Sequence, residues 1–395
     1  MAAAPAVSPA VADNRSWIQS PGWDMIWMFS AIWGGALILC SDLSAPLMTV
    51  IVLIFLFDRM VSALHNWSTI HLVFFSSLLA EERALHPWVY RVVPGIIVAV
   101  SFAMGLYISG YQRYAAGQGF TADLWAWGLY LALFWVGHFW HFGQQDFGVL
   151  SIYRVRANQN TATDRRVDRL YTAAMMFTIQ PVVYLSLITT TAFSEMVHTA
   201  VPISPETGRA IAGGAVALGA VLFVGVLGFE LSKPNRSLPR LLYIFVIFLH
   251  PVLIFGAVQA DSQTVAYLYL FSYLWSHWLI AVGLSARINT HYYQTRGAPL
   301  SVAILRHVAI MSFIIGLVYL VVEHNKEYLL FSTDGFHYKE ILASIPPDRM
   351  LVIGLVLGYF LAEQLIHYYA DRRLFRFRDP GLRRKVEPLL MESPV

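Results

Sequence analysis

Residues 124–147 read LWAWGLYLALFWVGHFWHFGQQDF, an apolar run that closes on two histidines, two glutamines and an aspartate. About twenty mostly apolar residues span the ~30 Å hydrocarbon layer at ~1.5 Å per residue, and a helix satisfies its own backbone there. The run therefore decides the fold class, and its polar end shows where to look for function. Ionisable side chains at that depth are costly; they are kept when they bind something, carry protons or pair with one another. At about 100° per residue, His138, His141 and Gln145 share one helical face, with Asp146 just round the corner.

The rest of the chain repeats the apolar theme. Of 395 residues, 57% are hydrophobic and 13% charged, and the mean hydropathy is +0.57, outside the range of a soluble globular domain. Hydropathy marks ten spans, at 23–40, 47–75, 88–110, 124–147, 170–193, 210–231, 241–260, 265–286, 302–322 and 350–369. The expectation is an all-α integral membrane protein, a single bundle of about ten transmembrane helices. Residues 1–20, rich in Ala, Pro and Ser, read as a disordered cytoplasmic tail, 21–370 as the transmembrane domain and 371–395 as a basic cytoplasmic tail.

Charge sets the expected orientation. With the N-terminus inside, 21 of the 27 Lys and Arg fall on the cytoplasmic side, five outside (Arg113, Arg209, Lys326, Lys339, Arg349), and Arg59 within a span. That asymmetry predicts both termini in the cytoplasm and a location in a bacterial inner membrane. The stretch 371–385, DRRLFRFRDPGLRRK, is expected either to lie on the inner leaflet, its arginines interleaved with Leu374, Phe375 and Phe377, or to act only as a stop-transfer signal. The acidic outer loop 323–348 is expected to cap the opposite face.

The single cysteine, Cys40, excludes an intrachain disulfide and any Cys-based zinc or iron–sulfur site, leaving histidine and carboxylate as the metal ligands. Alternating span directions put His65, His138, His141, His250, His277 and His367 in the cytoplasmic half of the membrane, on five different spans. Glu363, His367 and Asp371 descend as an i, i+4, i+8 stripe toward the same layer. His71 points about 120° away from His65 unless the helix ends between them. His250, followed by Pro251, and His307 read as histidines satisfied by a freed backbone carbonyl, and Asp58 with Arg59 as a buried structural pair.

Three functions follow. In the first, imidazoles and carboxylates hold non-haem iron, as one ion or two, and oxygen attacks a lipid-like or isoprenoid substrate from the cytoplasmic leaflet. His65, His71, His138, His141, His277 and His367 are then the metal ligands. Glu363, Asp146 and Asp371 bridge the metals, serve catalysis or orient imidazoles, and an electron-donor protein is the expected partner; nothing points to nucleic acid. In the second, histidines on facing spans hold haem b in an electron-transfer protein. In the third, Asp58, His138, His141, Glu363 and His367 relay protons in a proton-coupled transporter.

Through HFWH at 138–141 and the gathering of histidines at cytoplasmic span ends, the chain resembles membrane fatty-acid desaturases and hydroxylases. It departs from their HxxHH-type boxes, because no two histidines are adjacent. Through HFGQQD at 141–146 it is also similar to the multi-span bacterial carotene-cleaving oxygenases, which hold iron with histidines inside spans. Both resemblances imply iron and oxygen chemistry on a hydrocarbon.

Overall fold

The helices begin where the local chemistry allows. Ser20 accepts the Trp23 N–H and Pro21 follows at the first position of α1 (Pro21–Trp27), which is joined at a 66° bend to α2 (Ser30–Ser41). The next helices are α3 (Asp58–Ile70), α4 (Ala80–Leu85), α5 (Val93–Ile108) and α6 (Leu124–Arg156). Thr161 and Asp164 form a capping box that starts α7 (Ala162–Ala174), and α8 (Gln180–Thr190) continues it through a π-helical turn. Ser204 caps α9 (Pro205–Leu231), followed by α10 (Leu238–Gln259), α11 (Gln263–Gln294), α12 (Leu300–Ile310), α13 (Met350–Leu374) and α14 (Pro380–Met391). The computed structural model describes residues 16–41, 58–110, 124–190, 203–260, 263–310, 313, 350–375 and 379–391.

Among the described residues there is no strand, and six helices are long and apolar enough to cross a membrane: Trp88–Ile108, Ala162–Thr189, Pro205–Leu231, Leu238–Gln259, Val265–Gln294 and Met350–Leu374. The bent pair α1–α2 makes a seventh if it counts as one broken span. These features make the chain an all-α integral membrane protein. The opening stretch lies on α6, whose 33 residues reach about 50 Å. Of the expected spans 47–75 and 302–322, only the parts from residue 58 and up to 310, with residue 313, are described, and the outer loop 323–348 lies outside the described residues. The count of ten spans therefore extends beyond what the structure describes.

Five helices close a ring: α3 packs on α11, α11 on α10, α10 on α6, α6 on α13, and α13 back on α3. Outside the ring, α5 packs tightly on α13 along a glycine seam. A Cβ built at Gly105 would fall 2.3 Å from the Gly354 carbonyl oxygen and from the Gly358 nitrogen, so these backbones touch where any side chain would hold them apart.

One end of the bundle is tied by buried ions. Arg240 contacts Asp168 Oδ1 at 2.6 Å and Glu230 Oε1 at 2.7 Å, Arg154 also reaches Asp168, and Lys233 joins Glu230 to Asp164. Three cations meet three anions, so the network is neutral, which is the condition for burying charge without a large penalty. The chain ends pack on the same body. Ile18, which composition placed in the N-terminal tail, is fully buried and donates its N–H to Asp24 Oδ2 at 2.9 Å. In the basic tail, α14 buries Leu382, Val386, Leu389 and Leu390, and its last carbonyls accept hydrogen bonds from Arg156 and Arg287. Its apolar residues therefore face protein, because the pattern that fits a lipid surface also fits the bundle end.

Candidate metal centre

The ring helices deliver two buried triads to the core. In the first, His65 comes from α3, His141 from α6 and His367 from α13, each offering a ring nitrogen within 4.8 Å of the others. The ring centroids of His65 and His367 are 4.2 Å apart, and the Nε2 atoms of His141 and His367 are 3.1 Å apart. Asp371, one turn below His367, lies 3.7 Å from His141 Nε2 and 3.6 Å from His367 Nδ1. Thr69 Oγ1, one turn after His65, sits 2.9 Å from the same Nδ1. The Nδ1 proton thus has two oxygens beside it, which leaves the Nε2 of His367 bare toward His141.

The second triad is Asp146 from α6, His250 from α10 and His277 from α11, all completely shielded from solvent. Its tautomers follow from one hydroxyl. Ser276 Oγ gives its only proton to the Tyr273 carbonyl at 2.6 Å, so toward His250 Nε2, 2.9 Å away, it can only accept. That assigns the ring proton of His250 to Nε2 and leaves Nδ1 bare. The Tyr273 carbonyl, 3.2 Å from His277 Nδ1, likewise takes the proton of that ring and leaves its Nε2 bare.

Both bare nitrogens lie 3.5 Å from Asp146 Oδ2, and none of the three atoms makes a hydrogen bond. Three acceptors therefore face one another in a dry site, which costs several kcal/mol unless a cation stands among them. The other carboxylate oxygen is held by the Tyr243 hydroxyl at 2.7 Å, fixing the orientation of Oδ2.

The spacing suits a metal. Ligands about 2.0 to 2.2 Å from one ion lie roughly 3.0 to 3.5 Å from each other, the range of the 3.1 and 3.5 Å separations found here. Oxygens at the far ring nitrogens are the usual support of ligating histidines.

Of the residues picked out from sequence, the structure brings together His65, His141 and His367 with Asp371 beside them, and His277 with Asp146. His138 stands apart from both triads: its Nε2 is 3.4 Å from the Tyr273 hydroxyl, which donates to Gln180. His71 is elsewhere too, because α3 ends at Ile70 and a π-helical turn begins at His71, turning it toward Arg306 and His307. Glu363 is buried one turn before His367 against Asn66 and Trp67, outside both ligand sets. The side chains of Asp58 and Arg59 lie outside the described residues.

Pro251 gives His250 a local explanation in the sequence, yet its depth, the same as that of His277, is the signal that points here. Thr69, Tyr243 and Ser276 carry no such signal, since hydroxyls are common in spans. The chain matches no protein-family model, no curated protein and no solved structure. Its function has to be read from the site's own geometry.

Proposed function

We propose that this protein is a membrane-embedded, metal-dependent oxidoreductase of the non-haem iron kind, acting with oxygen on a lipid-like substrate that enters from the cytoplasmic leaflet. The observation that carries this reading is the convergence of Asp146 Oδ2, His250 Nδ1 and His277 Nε2, three buried acceptors with no hydrogen-bond donor among them. Two histidines and one carboxylate are the ligand set of oxygen-using ferrous enzymes, and the three-histidine set beside it offers a second position for a borderline metal. Bound there, iron would supply the redox chemistry that no side chain of this chain provides.

The chain's own part is to hold and to shield. Tyr243 aims Asp146, Ser276 and the Tyr273 carbonyl fix two imidazoles, and Thr69 with Asp371 fixes a third. Phe142, Tyr273 and Phe139 are buried around the histidines and keep water from a reactive centre. Supporting the cytoplasmic orientation, the basic ends of α6 and α11 meet α14 at one end of the bundle, and Arg240 of α10 joins Arg154 of α6 on Asp168. The positive-inside sorting favours that end as the cytoplasmic one, which fits the proposed location in a bacterial inner membrane. An electron-donor protein is the partner such chemistry requires.

Haem b is less well served, because a porphyrin takes one histidine on each face whereas here three ring nitrogens crowd one point. Metal analysis of the purified protein is the test. Iron near stoichiometry, reduced in His141→Ala without loss of membrane insertion, is the expected result. A protein free of iron, copper and manganese, with function intact after His141→Ala and His277→Ala, would leave a proton-relay transporter as the better reading.

A further inference from the structure

The sequence alone allows a carboxylate to bridge two metals in one centre. The structure separates them. Each triad has its own carboxylate, Asp146 for His250 and His277, Asp371 for His141 and His367. His141 and Asp146 are five residues apart on α6, about 7.5 Å along the axis and roughly 140° round it. Ions sharing a bridging carboxylate sit about 3.5–4 Å apart and have a ligand in common, whereas the two triads here share none.

An aromatic ring also packs against both triads. The ring of Phe142 stacks on His277 with centroids 3.8 Å apart and planes 4° from parallel, and its further neighbours include His138 at 3.9 Å and His141 at 5.7 Å. A histidine of each triad thus touches the same apolar side chain.

We infer that the chain holds two metal ions singly, one at His65–His141–His367 and one at Asp146–His250–His277, with Phe142 packed against a histidine of each. The inference rests on the metal-binding reading above and deepens it, since it assigns the two sites different chemistry. The Asp146 site uses one carboxylate oxygen and two imidazoles, leaving an octahedral ion with open positions for small molecules. At the other site the convergent set is three imidazoles, and Asp371 stands at the far ring nitrogen of His367, where it supports a ligand. The two-histidine, one-carboxylate set is the one suited to oxygen chemistry, which assigns that chemistry to the Asp146 site and a supporting role to the three-histidine site.

Cobalt(II) is a suitable probe because its spin state and coordination are visible in absorption and paramagnetic resonance spectra. The full-length protein, purified in detergent and stripped with a chelator, should take up two cobalt ions per chain whose resonance spectra are independent. Asp146→Asn and His250→Gln should each remove one ion and one set of spectral features, leaving the other set unchanged, and His367→Gln should do the converse. Gel-filtration profiles matching wild type would show that each variant is folded; the near-isosteric glutamine and asparagine substitutions are chosen for that reason.

Loss of both ions in any single folded variant, or a spin-coupled pair in the wild type, would overturn the two-site inference while leaving the metal-binding reading in place. Failure of the wild type to bind cobalt or iron at all would overturn both.

Discussion

At the residue scale, one hydroxyl decides whether two imidazoles face the Asp146 site correctly. Ser276 accepts from His250 because its own proton is committed to the Tyr273 carbonyl, and that same carbonyl holds His277. Ser276→Ala removes the acceptor and frees His250 to choose its other tautomer, which turns a proton toward Asp146. We expect metal affinity at that site to fall by about 10- to 100-fold, the usual effect of losing a supporting contact, with Ser276→Thr close to wild type. Metal titration of the three proteins decides it, and equal affinity in Ser276→Ala would show that the hydroxyl does not set the tautomer. At this scale much of the site was legible: His141 and Asp146 stand out as polar residues at the end of an apolar span, and His367 with Asp371 as a stripe. His250 was not, because Pro251 offers an equally good local explanation for a polar neighbour.

At the scale of elements, the position of α13 governs the first triad, since that helix carries both His367 and Asp371. Its closest partner is α5, and the contact depends on Gly105, Gly354 and Gly358 lying backbone to backbone. Gly105→Val would drive the helices apart, because its Cβ meets main-chain atoms that no rotamer change can move. Overpacking of this kind costs typically about 1–3 kcal/mol or more, and we expect a lower melting temperature in detergent together with loss of the ion proposed at His367. Gly214→Ala is the control. Nothing lies within 4 Å of its added Cβ, so stability should be unchanged or raised by up to about 1 kcal/mol through helix propensity. A Gly105→Val protein with wild-type stability and metal content would mean that the seam does not set the position of α13. The seam had no marker in the sequence, because glycines are frequent in membrane helices and only a partner's approach distinguishes a packing glycine from an idle one.

For the whole molecule, the 21-to-5 sorting of Lys and Arg and the meeting of basic helix ends at α14 make a joint prediction about orientation. Reporter fusions at Met1 and at Val395 should both read cytoplasmic. Periplasmic signals at both ends would reverse the depth assigned to both triads and place substrate entry in the other leaflet, and a periplasmic signal at one end alone would overturn the even span count. The class of protein was determined by the sequence, because hydropathy and helix length are sums over contiguous residues and need no knowledge of neighbours. So was the ligand chemistry, since a chain with one cysteine offers a metal only imidazole and carboxylate. What only the tertiary structure decided is the partition of these side chains into two triads, with His250 included, His138 and His71 left out, and Phe142 against a histidine of each. Convergence of side chains from different helices depends on each helix's rotation and axial offset against the others. Those are set by packing contacts such as Gly105 on Gly354 and by ion pairs such as Arg240 with Asp168 and Glu230, which lie 249, 72 and 10 residues apart in the chain and which no local pattern records.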